Sequence, residues 1–126
     1  MAVIDGGADT CVLGQGWRFI SLQTGRKATL CGFDPSHTSS TGHFIGSLCT
    51  VMCDNQGKDI LAIIHNGFIN TWSPITLLSA NQMRYNHLIV DDVSKFCRSS
   101  NRGMGKQQIV ISPKRGQDPV IIPLKL

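Results

Sequence analysis

Apolar residues in this chain arrive in short runs, each cut off by glycine, proline or a cluster of polar turn residues. That spacing builds strands and leaves little room for helices, so it predicts an all-β fold. The first runs are Ala2 to Ile4, Thr10 to Leu13, Trp17 to Leu22, Ala28 to Phe33 and His43 to Met52. The densest is "ILAIIHNGFIN", and its density predicts a central strand covered on both faces. "QTGRK" and "CDNQGKD" read as turns. Later come "LIV", "QQIVIS" and "VIIPLKL", the last two reading as a C-terminal hairpin with Pro123 marking an edge or interface strand. The 126 residues are 41% hydrophobic, enough for one domain with its own core, and no repeat or linker divides them.

A single helix is predicted. "TLLSANQMRYN" sets an apolar pair before Ser79, with Gln82 three residues on, which is the spacing of a capping box. Ser79 would accept from the first-turn amides, Gln82 would reach back, and the helix would end near Asn86. No run approaches the roughly 18 apolar residues of a membrane span, and none follows the start as a signal peptide would. The chain is therefore expected in the cytoplasm, without a membrane partner.

Five cysteines form no evident disulfide framework and read as buried thiols in a reducing compartment. Cys49 and Cys53, the only close pair, would lie about 13 Å apart on a strand, too far to share one tetrahedral ion. No metal site and no cofactor is expected. The formal net charge is +4, but the basic residues are scattered and no aromatic residues interleave with them. Nucleic acid is accordingly a weak candidate for a partner.

The opening stretch "AVIDGGADTCVLG" carries the chemistry. An apolar strand ends in Asp5, turns through Gly6 and Gly7, and resumes beyond Asp9. A strand that ends in Asp-x-Gly projects one carboxylate from ordered backbone. Glycine lets the chain turn sharply and lets other backbone approach. Such a carboxylate could be a ligand, a cap or a catalytic group; the plain alternative is an Asx turn, with Asp5 bonding the amides of Gly7 and Ala8.

Asp5-x-Gly7-Ala8-Asp9-Thr10, followed by apolar residues, resembles the D-[ST]-G-A-[DS] signature of retropepsin-like aspartic proteases. The order downstream is similar too: "RKATLCGFDPSHTSSTGHFIGSLCTVM" looks like the flap hairpin, and "ILAIIHNGFIN" like the central strand after it. "ITLLSANQM" resembles the segment that crosses under the active-site turn into a short helix, and with "GADTCVLGQGW" it is closest to copia-type retrotransposon polyproteins. The resemblance spans nearly the whole chain.

It implies a retropepsin-like acid-protease β-barrel, one lobe per chain. Asp5 would be catalytic, with Gly6 and Thr10 completing its turn. Gly7, Ala8 and Asp9 would meet an extended substrate. The linker of Asp34, Pro35, Ser36, His37, Thr38, Ser39, Ser40, Thr41 and Gly42 would close as the flap, with His43 and Phe44 beside it. Leu77, Leu78 and Ser79 would support the site from beneath. Two carboxylates are needed, and Asp9 lies in the same chain pointing elsewhere. The second must come from a second copy, so a homodimer is implied. Its substrate would be a polyprotein with hydrophobic residues at the scissile bond, in the cytoplasm or within virus-like particles.

Two departures bear on activity. Gly6 stands where the family has Ser or Thr, whose hydroxyl bonds across the dimer. A buried bond of that kind contributes about 0.5–1.5 kcal/mol per side, so its loss predicts weaker dimerisation and reduced activity. Only Met1 to Ile4 precede Asp5, so a domain shortened at its N-terminus is expected. The second reading, a degenerate, non-catalytic module for dimerisation or peptide binding, follows from the same two features. A basic nucleic-acid-binding module is a distant third.

Overall fold

The computed structural model describes residues 1–31, 40–93, 105–112 and 114–124. These residues form an all-β fold with one short helix. In chain order the elements are β1 (Ala2–Asp5), β2 (Val12–Leu13), β3 (Arg18–Leu30), β4 (Ser40–Cys53), β5 (Asp59–Ile69) and β6 (Thr76–Ser79). Then come α1 (Ala80–Tyr85), β7 (Ile89–Asp91), β8 (Gln108–Ile111) and β9 (Val120–Pro123). A six-stranded sheet runs β1-β6-β2-β5-β4-β3, and a three-stranded sheet runs β7-β8-β9. Neither closes on itself, so the expected β-barrel gives way to two open sheets. Among the described strands β9 pairs with β8 alone, which puts Pro123 at a sheet edge, where its missing N–H is tolerated.

The order of the large sheet positions the site. β1 and β2 are neighbours in sequence but not in space, because β6 inserts between them. β1 runs parallel to β6 with Ile4 opposite Leu78 and Asp5 opposite Ser79. β2 runs antiparallel to β6 and parallel to β5, with Val12 opposite both Leu77 and Phe68. The chain thus leaves the sheet at Asp5 and re-enters at Val12, looping over the end of β6 where α1 begins. Cys11, Leu13, Trp17, Leu48 and Leu78 form the buried core, and Ile4, Ile64, Ile69, Met52 and Met83 pack against it. At Gly14 the backbone presses so closely on the segment before β6 that a Cβ would lie 2.5 Å from the Ile75 carbonyl oxygen. The amide of Gln15 donates to the Ser73 carbonyl at 2.8 Å, and that of Gly14 to Thr76 Oγ1 at 3.0 Å.

Three sequence expectations change. "QTGRK" is not a turn between strands; β3 continues through it as an irregularity, with Leu22 opposite Gly46 and Lys27 opposite Phe44. Gly25, at φ +79°, sits in this bulge. Through Asp59–His65 the central strand β5 is covered on one face only, whereas Gly67, Phe68 and Ile69 at its far end are all buried or partly buried. Residues of the first stretch alternate, Leu61 and Ile63 being 61% and 46% exposed beside an exposed Val51. An antiparallel pair such as β4 and β5 tolerates one solvated face, and apolar density alone does not distinguish one covered face from two. Finally, the Gln82 side chain does not reach back to the helix cap. Ser79 caps α1 as expected, accepting from the Gln82 amide at 2.9 Å, and Asn86 ends it. The Gln82 side chain goes instead to the Cys11 amide and the His65 carbonyl.

Candidate active site

Asp5 is the last residue of β1 and half-buried. Its Oδ1 accepts from the Gly7 amide at 2.8 Å, while its Oδ2 takes no hydrogen bond from the described residues. This is the Asx-turn geometry. One carboxylate oxygen is fixed by backbone and the other is not. A Cβ at Gly7 would lie 3.4 Å from Asp5 Oδ1, the near limit of ordinary contact.

The turn is held from beneath by the start of α1. Ser79 Oγ donates to the Ala8 carbonyl at 2.6 Å while accepting from the Gln82 amide. Asn81 Nδ2 donates to the carbonyls of Gly6 (3.1 Å) and Ala8 (3.3 Å). Farther along, the Cys11 amide donates to Gln82 Oε1 at 2.7 Å, and Gln82 Nε2 donates to the His65 carbonyl at 3.0 Å. The buried Cys11 sulfur accepts from the Ser79 amide at 3.2 Å. Burial pushes the Cys11 thiol up, and the Ser79 N–H only partly opposes it, so at neutral pH it stays protonated as a core group.

Asp5 opens onto a cleft of about 990 Å³. Gly7, Ala8, Asp9 and Thr10 line it beside the carboxylate, and Val12, Leu30, Phe68, Ile75 and Leu77 give it apolar walls. Most of the anticipated residues therefore converge. Leu77 and Leu78 part company, because strand alternation puts Leu77 in the cleft wall and only Leu78 in the core beneath. The Gly7 N–H is engaged by Asp5 Oδ1, and the Ala8 carbonyl by Ser79 and Asn81. Of the flap, Asp34, Pro35, Ser36, His37, Thr38 and Ser39 lie outside the described residues, while Ser40, Thr41 and Gly42 open β4. The other limb of that hairpin reaches the cleft through Thr29, Leu30 and Cys31.

Sequence reasoning missed Asn81 and the contacts of Gln82. It also missed Asp92, whose Oδ2 lies 3.8 Å from where a Gly6 Cβ would stand and whose Oδ1 pairs with Arg84 at 2.9 Å. Among the described residues no group of three or more His, Cys, Asp or Glu side chains could hold a metal ion. No helix there is long and apolar enough to cross a membrane. No protein-family model, curated protein or solved structure matches the chain.

Proposed function

We propose that this chain is one half of a retropepsin-like aspartic endopeptidase that processes a retroelement polyprotein as a homodimer. The observation that carries this reading is the Asp5 carboxylate. It sits at a strand end, is fixed through one oxygen by the Gly7 amide, and lines a large apolar-walled cleft. The insertion of β6 between β1 and β2 supports it further, since "ITLLSANQM" was expected to run beneath the catalytic turn.

The chemistry follows from pairing Asp5 with its copy. Two carboxylates about 3 Å apart hold one proton between them. The charged one takes a proton from a water held between them as that water's oxygen attacks the scissile carbonyl, and the neutral one protonates the carbonyl oxygen. Collapse of the tetrahedral intermediate then breaks the C–N bond, the departing amine taking the proton gained from water. Neither copy owns a fixed role, because the pair titrates as a unit. Among the described residues, neither nearby carboxylate is offered as its partner. Asp9 is exposed four residues on, and Asp92 has an oxygen committed to Arg84. Val12, Phe68, Ile75 and Leu77 suit a substrate with apolar side chains flanking the cut bond.

Gly6 favours a second reading, in which the same dimer binds peptide without cutting it. The two separate in one experiment: incubation with a peptide bearing large apolar residues at its centre, at acidic pH, followed by product mass analysis. The protease reading expects cleavage that Asp5→Asn and a statine-type inhibitor both abolish. Binding without cleavage at concentrations where the dimer forms selects the second reading, and cleavage that survives Asp5→Asn removes Asp5 from the chemistry.

A further inference from the structure

We propose that Asn81 is the positioning residue of the Asp5 turn, setting its geometry within each chain before any partner arrives. The turn holds two consecutive glycines, the residues with the most backbone freedom to lose. Yet it must keep the Gly7 N–H 2.8 Å from Asp5 Oδ1. Gly6 offers no side chain for the task. The carbonyls on either side of Gly7, those of Gly6 and Ala8, both accept from Asn81 Nδ2. Only the NH₂ end of the amide can satisfy two carbonyl oxygens, and its two hydrogens match the two acceptors. Gly6 is held by Asn81 alone among the described side chains, whereas Ala8 is also held by Ser79 Oγ.

The anchor is itself fixed. Asn81 is the second residue of α1, between the fully buried Ala80 and the capped amide of Gln82. Its own position is exposed, and there an asparagine is a poorer helix former than alanine. Packing and helix propensity thus leave the residue unexplained, and the two hydrogen bonds explain it. Dimerisation then brings together two carboxylates that are already oriented.

The catalytic consequence rests on the protease reading, so the test has one arm that does not. Amide hydrogen exchange at Gly7 is measured on the full chain, diluted until monomeric, for the parent and for Asn81→Ala. Asn81→Asp keeps the shape, turns donors into acceptors, and stands in if the alanine variant fails to fold. The parent monomer should protect Gly7, and both variants should exchange about tenfold faster with an unchanged melting temperature. In the second arm, peptide cleavage should lose about tenfold in kcat with little change in KM, a split that a general loss of folded protein would not produce. Unchanged Gly7 exchange in the variants, or protection that appears only on dimerisation, overturns the proposal. A parent that never cleaves, yet shows Asn81-dependent protection, sinks the protease reading and leaves the brace standing.

Discussion

Gly6 is where the chain departs from the pattern it otherwise resembles, and the space around it is open. A Cβ there meets only Asp92 Oδ2, at an ordinary 3.8 Å, so Gly6→Ser fits without displacing anything. A serine hydroxyl has two possible acceptors, the opposite turn of a dimer or Asp92 in its own chain. Bonding across the dimer is expected, tightening it by about 0.5–1.5 kcal/mol per side and raising cleavage. Analytical ultracentrifugation reads this directly, and an unchanged dissociation constant would contradict this account of the site. Single residues differ in how plainly the sequence announces them. Asp5 and Ser79 stand out because strand-then-acid and cap-then-helix are local patterns. Asn81 does not, because its partners lie 75 and 73 residues away and depend on a register that one strand's sequence does not encode. Gln82 shows the same limit from the other side. Its spacing from Ser79 fits a capping box, but the Cys11 amide and the His65 carbonyl lie within reach and take both ends of its amide.

The element that matters most is β6, four residues long and bonded on both sides. It carries Leu78 into the core, Leu77 into the cleft wall and Ser79 to the helix cap. The segment before it is clamped against β2 at Gly14. A methyl group there would stand 2.5 Å from the Ile75 oxygen and 2.6 Å from that of Ser73, both backbone and unable to swing aside. Gly14→Ala should therefore destabilise the fold by about 1–3 kcal/mol and shift the Ile75 wall of the cleft. Thermal unfolding with peptide KM checks it, and a parent-like melting point would show that the clamp yields more easily than its geometry says. Strand identity was legible because turn residues punctuate apolar runs. The course of β3 was not, because "QTGRK" has turn chemistry and only its pairing with β4 keeps it in the strand. The one-sided cover of β5 was hidden likewise, since Leu61 and Ile63 are as apolar as the residues facing inward.

Among the described residues, β1 and β3 end one open sheet and β7 and β9 the other, with the Asn55 amide bonded to the Ile121 carbonyl of β9. Edges of this kind are sites where another copy or an extended peptide can add a strand. The cleft needs both in the proposed reading, a peptide along its apolar wall and a second Asp5 across a two-fold axis. All-β class and the placing of the helix came from patterning; sheet closure could not, because it depends on how far the strands curl. The claim on which the account turns is that catalysis requires one Asp5 from each of two chains. Mixing parent protein with Asp5→Asn at constant total concentration, well above dimer dissociation, tests it. Random pairing makes activity follow the square of the parent fraction, so an equal mixture should retain about one quarter of the cleavage rate. An equal mixture that retains about half, with activity linear in the parent fraction, would mean that each chain acts alone and would contradict the paired-carboxylate site.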